Sequence, residues 1–222
     1  MLIEVIASTL DEALELERLG ADRIELVTAV SEGGLTPSHA MINQVCEQVR
    51  IPVNVMLKTR GDYQFSDNDM KIMLEDLSYI RASKANGIVF GALKGDALNL
   101  NYIQQVIANK GHLQMTLNRS FDRTADLEEA LLAVETLPID RMLTSGHEQS
   151  VITGASTYRM IQQRMAGKMI VMAGAGLNLK NVDAFVKENH PAEIHFGSGT
   201  HIDGKWGNPI SEAALKQLVK LK

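Results

Sequence analysis

The alternation of short apolar runs with amphipathic stretches restricts the fold of this 222-residue chain more than any other feature. Eight runs have strand character, and stretches with helical periodicity lie between them. The predicted strands are residues 2–7, 23–27, 53–58, 87–90, 114–118, 141–143, 169–173 and 193–196. Regular alternation of this kind implies parallel strands joined by right-handed crossovers. Eight units therefore predict an α/β fold, a single (β/α)8 TIM barrel, rather than an open sheet.

Local signals agree with this alternation and give no point at which to divide the chain. Thr9 followed by Glu12, and Ser66 followed by Asp69, resemble the capping boxes that begin helices. No Pro/Gly/Ser-rich linker, charge block or low-complexity segment interrupts the pattern. We therefore predict that residues 1–222 form one TIM-barrel domain.

Composition and charge exclude several classes of protein. The net charge is −5, and Lys and Arg form no dense cluster, so nucleic acid and anionic membranes are not expected partners. No apolar run approaches the length of a membrane span, and the N-terminus lacks the pattern of a signal peptide. The single cysteine excludes an internal disulfide. We expect a cytoplasmic protein.

Two glycine motifs follow the last two predicted strands. They read Ala173-Gly174-Ala175-Gly176 and Gly197-Ser198-Gly199. Glycine lets a backbone approach a ligand closely, and (β/α)8 barrels form phosphate sites from the loops after strands seven and eight. The motifs predict a site for a small phosphorylated or carboxylated ligand at the barrel mouth. The residues expected to bind its anion through backbone N–H groups are Gly174, Gly176, Gly197, Ser198 and Gly199.

Polar residues interrupt several of the apolar strands, and others lie just beyond the strand ends. Charged groups inside a barrel need partners, so they favour a polar pocket with acid/base groups beneath the anion site. Either Glu4 or Glu25 is predicted as general acid/base, oriented by Lys58 and Asn118. The alternative is that a glutamate points outward and pairs with a helix residue. His195 is a further polar strand residue, without an assigned role.

Arginines after the third and fifth strands are predicted to supply positive charge to the pocket. Arg60 and Arg119 present the planar fork that suits phosphate or carboxylate. Asp122 belongs to the same candidate set, and three roles remain open for it: contact with substrate, orientation of Arg119, or capping of the fifth helix. Residues 59–65 form either a lid or an ordinary exposed loop.

No metal ligands are predicted from spacing. The six histidines are scattered, and neither His-x-x-x-His nor Cys-x-x-Cys occurs. Cys46 falls in the apolar stripe of the second helix, where a thiol behaves as a small buried hydrophobic group.

Five strings spread along the chain resemble the CutC copper homeostasis family. The resemblance implies a (β/α)8 barrel, a cytoplasmic location, homo-oligomers, and a role in copper tolerance or Cu(I) handling. It includes Glu4, Glu25, Arg60, Arg119, Asp122 and both glycine loops. The strings are Gly20-Ala21-Asp22-Arg23-Ile24-Glu25-Leu26, Glu32-Gly33-Gly34-Leu35-Thr36-Pro37-Ser38, Asn118-Arg119-Ser120-Phe121-Asp122, Leu143-Thr144-Ser145-Gly146 and Met172-Ala173-Gly174-Ala175-Gly176.

The sequence departs from this family where copper ligands are expected. Family members carry cysteines near the ends of strands one and two, but this chain has Val5-Ile6-Ala7-Ser8 and Leu26-Val27-Thr28 there. Asn54 and Asn118 stand where histidine is common in the family. Thiolate, thioether and imidazole hold copper well, so their loss argues against direct copper binding.

Three hypotheses for function therefore remain. The first is copper homeostasis, as the resemblance implies. The second is an enzyme that acts on a small phosphorylated or carboxylated substrate by acid/base chemistry. The third is a non-catalytic homo-oligomeric scaffold with Trp206 at an interface.

Overall fold

The computed structural model describes residues 1–222 and contains a closed barrel of eight parallel strands. Each strand pairs with its neighbours in chain order, and the eighth closes the barrel against the first. The prediction of a (β/α)8 barrel is confirmed, and the observed strand ends lie within two residues of the predicted ones. The strands are β1 (Leu2–Ala7), β2 (Arg23–Leu26), β3 (Val53–Met56), β4 (Gly87–Phe90), β5 (Gln114–Leu117), β6 (Arg141–Thr144), β7 (Ile170–Ala173) and β8 (Glu193–Phe196).

One α-helix follows each strand. The predicted capping residues begin two of the helices: Thr9 accepts the Glu12 N–H at 3.1 Å, and Ser66 and Asp69 form a reciprocal capping box. The helices are α1 (Leu10–Leu19), α2 (His39–Gln48), α3 (Asp67–Ala82), α4 (Leu100–Asn109), α5 (Leu127–Val134), α6 (Ala155–Arg164), α7 (Val182–Asn189) and α8 (Glu212–Val219). No helix combines the length and the apolar character that a membrane crossing needs.

Strand residues alternate between the two sides of the barrel wall, as a period of two requires. Ile3 and Val5 belong to the main hydrophobic core beneath the helices. Glu4 lies between them and contacts Asn54 on β3, which is not a neighbour of β1, so the Glu4 side chain occupies the barrel interior. The interior therefore holds charged groups, whereas the outer core is apolar.

A small apolar cluster inside the barrel lies closer to the carboxyl ends of the strands. It consists of Val27, Met56 and Val89, with Ile6 packed against it. Short elements surround these strand ends: a hairpin of Leu93–Lys94 and Ala97–Leu98, and 3₁₀ turns at Val30–Glu32, Phe121–Arg123, Ser198–Thr200 and Ile202–Gly204.

Candidate functional site

A cavity of about 530 Å³ opens at the carboxyl ends of β1, β6, β7 and β8. This is the end of a (β/α)8 barrel at which enzymes with this fold place their functional groups. Strand ends and the loops after β5, β7 and β8 supply its walls. The lining residues are Ile6, Arg119, Leu143, Ala175, Gly176, Leu177, Asn178, His195, Gly197, Ser198, Gly199, Gly204 and Trp206.

The two glycine loops leave six backbone N–H groups without a protein acceptor. Buried N–H groups are almost always paired, whereas N–H groups in a cavity wall can donate to a ligand or to solvent. Successive free N–H groups form a concave site for an anion. The six belong to Ala175, Gly176, Leu177, Gly197, Ser198 and Gly199.

Backbone geometry explains why glycine occupies two of these positions. Gly176 has φ +78°, in the left-handed region, and follows Ala175, which is held there at φ +71°. A Cβ on Gly199 would lie 2.8 Å from the carbonyl oxygen of Leu177, so only glycine lets the β8 loop rest on the β7 loop. The close approach of the two loops therefore brings the two sets of N–H groups together.

Arg119 supplies a positive charge to the cavity wall and is fixed in place by Asp122. Its Nε donates to the Asp122 carboxylate at 3.0 Å, and its Nη2 donates to the Ser145 hydroxyl at 3.0 Å. The same carboxylate accepts the Ser145 N–H at 2.9 Å and the Thr144 hydroxyl at 2.5 Å. Three roles were open for Asp122, and these contacts correspond to the one in which it orients Arg119.

His195 lies at the base of the cavity, between two glutamates. Its Nδ1 is 2.8 Å from the Glu4 carboxylate, and its Nε2 is 3.6 Å from the Glu25 carboxylate. All three side chains are buried, and His195 alone of the three lines the cavity. The arrangement presents an imidazole to a ligand while both ring nitrogens face carboxylates.

The pKa values of the two glutamates are shifted in opposite directions. Burial raises the pKa of Glu25 to about 7, and the nearby His195 charge offsets only part of that effect. Burial also raises the pKa of Glu4, but the hydrogen bond from His195 and the charge of Arg23 outweigh it and lower the pKa to about 2. Burial lowers the pKa of His195, whereas attraction to Glu25 and Glu4 raises it to a value above 6.5.

A buried ion network at the amino ends of the strands holds Glu4. Arg23 donates from Nε to the Glu4 carboxylate at 2.5 Å, and from Nη2 to Glu193. Arg141 pairs with the same Glu193 carboxylate at 3.2 Å. Asn54 Nδ2 lies 3.5 Å from Glu4. The sequence predicts no role for Arg23 or Arg141. In the structure, Arg23 and Asn54 make the contacts with Glu4 that are predicted for Lys58 and Asn118.

Two predicted residues lie elsewhere at the mouth. Arg60 is exposed, pairs with Asp62 at 3.3 Å and does not line the cavity, so the structure does not bring it together with Arg119 as predicted. Lys58 is buried, and its Nζ donates to the carbonyl oxygens of Glu32 at 3.1 Å and Gly61 at 3.2 Å. It joins the loops after β2 and β3 and hydrogen-bonds neither Glu4 nor Glu25.

Asn118 and Gly174 also lie outside the cavity wall. Asn118 accepts the Ser120 N–H at 3.0 Å, while its buried Nδ2 has no protein partner. Gly174 permits close packing: a Cβ there would lie 2.5 Å from Leu143 Cδ1 and 3.3 Å from His195 Cβ. Asn118 therefore hydrogen-bonds neither Glu4 nor Glu25, and Gly174 packs against His195 without lining the cavity.

The donor atoms present do not fit a copper site. No group of three or more His, Cys, Asp and Glu side chains is placed to hold a metal ion. Cys46 is buried in α2, where desolvation raises the pKa of its thiol to about 11 and keeps it protonated at neutral pH. Cu(I) prefers thiolate, thioether and imidazole ligands. The ends of β1 and β2 offer none of these.

Similarity to known proteins agrees with this fold. The human copper homeostasis protein cutC homolog is 35% identical over 196 residues, covering 87% of this chain and 72% of that protein. The CutC family protein of Photorhabdus laumondii is 36% identical over 186 residues, covering 83% and 75%.

Among solved structures, CutC from Streptococcus agalactiae superposes with a TM-score of 0.81 at 23% identity, covering 89% of this chain and 98% of that one. Phosphoribosylanthranilate isomerase from Thermotoga maritima shares the fold, with a TM-score of 0.68 at 14% identity, covering 100% and 98%. The family model described as "CutC family" matches residues 1–200. The chain belongs to the CutC family.

Proposed function

We propose that this protein binds a small phosphorylated or carboxylated molecule in the mouth cavity. We propose further that the His195 side chain exchanges a proton with that molecule. The observation that carries the proposal is the set of six N–H groups without a protein acceptor in the two loops that line the cavity. Arg119, which is paired with Asp122, adds a guanidinium to the same cavity. Backbone N–H groups and a guanidinium together recognise the oxygens of an anion.

The fold neighbours support a phosphorylated ligand. A phosphoribosyl anthranilate isomerase is described in complex with reduced 1-(o-carboxyphenylamino)-1-deoxyribulose 5-phosphate, and another neighbour is a thiamine phosphate pyrophosphorylase from Pyrococcus furiosus. Both names refer to phosphorylated compounds. In (β/α)8 enzymes a phosphate is commonly held by the loops after strands seven and eight, which are the loops that carry the free N–H groups here.

Proton transfer is proposed for His195 because of its partners. Glu4 accepts a hydrogen bond from Nδ1 and is itself fixed by Arg23, so the ring is held in one orientation. The Glu25 carboxylate is 3.6 Å from Nε2, beyond hydrogen-bond distance, so Nε2 is the ring nitrogen left to exchange a proton with the ligand. Glu25 has a pKa of about 7, close to neutral pH, where a group exchanges protons most effectively. A substrate with an acidic C–H or O–H group next to its anion would meet His195 at the cavity base.

The relatives are named copper homeostasis proteins, and we propose that this chain takes part in copper homeostasis through the anionic molecule that it binds. Direct retention of Cu(I) is not part of the proposal, because the only thiol is buried in α2 and protonated.

Inorganic phosphate and ribose 5-phosphate test the binding proposal in the folded protein. Saturation to 100 times the dissociation constant stabilises the native state by about 2.7 kcal/mol. For a chain of this size that gain raises the melting temperature by about 5–11 °C. We expect the shift in wild type, a much smaller one in Arg119→Gln, and an unchanged one in Arg60→Gln, which removes the same charge from an exposed loop.

Equal shifts in the two arginine variants would contradict the site, and no shift in wild type with either anion would remove the proposal.

Proton transfer has a separate readout. Phosphorylated sugars are incubated with the protein in D₂O, and loss of C–H signals is followed by NMR. We expect exchange in wild type and Arg60→Gln and none in His195→Asn. Exchange that persists in His195→Asn would contradict the role of His195.

A further inference from the structure

Trp206 forms part of the cavity wall, on the segment that follows β8. It follows the 3₁₀ turn Ile202–Gly204, and its ring edge covers Gly197, where a Cβ would lie 3.1 Å from the Trp206 Cζ2 atom. The side chain is half-buried, so part of the ring stays accessible from the cavity. A glycine beneath the ring lets the indole approach the backbone that carries the free N–H groups.

The segment that carries Trp206 is held in place. The Ile202 N–H donates to the Pro209 carbonyl oxygen at 3.0 Å, and the His201 Nδ1 donates to the Asn208 carbonyl oxygen at 2.8 Å. The His201 ring packs on the indole with centroids 4.7 Å apart. The buried imidazole thus supports one side of the ring, and the indole is presented as a fixed surface.

The cavity has two chemically different parts. One contains Arg119 and the unpaired N–H groups of the glycine loops. The other is apolar and consists of Ile6, Leu143, Leu177 and Trp206. A volume of about 530 Å³ lies in the range of cavities that hold whole organic ligands. An inorganic anion alone would leave the apolar part unfilled.

We propose that the molecule bound here carries a planar apolar ring beside its phosphate or carboxylate, and that the ring lies against Trp206 while the anion occupies the glycine loops. This inference rests on the proposed function, because it presupposes an anion in the same cavity. Trp206 lies beyond residues 1–200, which the family model matches, so it adds to the part of the site that the family model covers.

The wild-type protein tests the inference without a variant, because Trp206 is the only tryptophan and its fluorescence reports on the cavity. Titrations use inorganic phosphate, phenyl phosphate and cyclohexyl phosphate, which has the same number of ring carbons but is not planar. Contacts between aromatic groups strengthen binding beyond buried area by about three- to tenfold. We expect phenyl phosphate to bind at least tenfold more tightly than phosphate and severalfold more tightly than cyclohexyl phosphate.

Calorimetry on Trp206→Leu and Trp206→Phe assigns the effect to this residue. We expect Trp206→Leu to lose the preference for phenyl phosphate over inorganic phosphate, and Trp206→Phe to keep most of it. Equal wild-type affinities for phosphate and phenyl phosphate would overturn this inference and leave the anion site intact. A Trp206→Leu variant that keeps the preference but changes oligomeric state in light scattering would make Trp206 an interface residue instead. Binding of none of the three probes would overturn the proposed function as well.

Discussion

Replacing Glu25 by glutamine should stabilise this protein at alkaline pH. Glu25 is buried with its carboxylate 3.6 Å from His195 Nε2, and it accepts no hydrogen bond within the protein. Burial raises the pKa of Glu25 from its ordinary 4.5 to about 7. Glutamine keeps the shape and removes the charge. The variant therefore avoids the cost of ionising a buried group.

The magnitude follows from the two pKa values. A carboxyl that binds its proton more tightly in the folded state contributes its full stability below pH 4.5 and loses it as the pH rises through 7. The gap between 4.5 and about 7, at about 1.36 kcal/mol for each pH unit, corresponds to about 3 kcal/mol. The attraction of His195 is already included in that pKa. We expect Glu25→Gln to gain about 3 kcal/mol at pH 8.5 and less than about 1 kcal/mol at pH 4.5.

Urea denaturation at these two pH values measures the gain, with Glu4→Gln as the matched control. Glu4 is equally buried, but its pKa is lowered to about 2, so its charge stabilises the fold throughout this range. Glu4→Gln should lose about 3 kcal/mol at both pH values, since the charge is lost only as the pH falls toward 2. A Glu25→Gln effect that is the same at both pH values, or a loss of stability at pH 8.5, would refute the reasoning.

Three further changes test other parts of the structure. Arg23→Met should cost about 3–5 kcal/mol in urea denaturation at pH 7, because it removes the guanidinium shared by two buried carboxylates and leaves Glu4 with His195 alone and Glu193 with Arg141 alone; a cost below about 1 kcal/mol would argue against the interior network. Gly199→Ala should lose about 1–3 kcal/mol and most of the phosphate-induced rise in melting temperature, because its Cβ meets the Leu177 carbonyl; an unchanged rise would show that the two loops need not touch. Cys46→Ala should retain as little Cu(I) as wild type in competition with a chromophoric chelator, and stoichiometric copper that depends on Cys46 would contradict the account.

The barrel, and the placement of Glu4 on the strand face opposite Ile3 and Val5, could be predicted because both depend on short-range periodicity, whereas alternation left open which face is the interior. Alternation along β1 places Glu4 on the face opposite Ile3 and Val5, and the structure has this arrangement. The glycine loops follow apolar strands seven and eight, so their place at one end of the barrel follows from counting. The fold and the end of the barrel at which the cavity opens could therefore both be predicted from the sequence.

Which inward groups meet depends on the register between strands that are distant in sequence. Glu4 and His195 are 191 residues apart, and Arg23 and Glu193 are 170 apart, so no local pattern reveals either contact. His195 could have been singled out by one signal, its position near the end of β8 and two residues before Gly197. In the structure its side chain lines the cavity.

Positions just beyond strand ends were harder to predict because loops turn freely. Arg60 follows β3 as Arg119 follows β5, but Asp62 and Asp69 attract Arg60 outward while Asp122 fixes Arg119 in the wall. The difference lies in which acidic residues the loop geometry brings near. Sequence spacing alone treats the two arginines alike.

Amide chemical shifts of the folded protein test the central claim most directly. The account predicts that inorganic phosphate, added to the ¹⁵N-labelled protein, shifts the N–H signals of the two glycine loops in a saturable manner and leaves the helices unchanged. Those six signals belong to Ala175, Gly176, Leu177, Gly197, Ser198 and Gly199. Saturable shifts confined to another surface, or none at any residue of these loops, would contradict it.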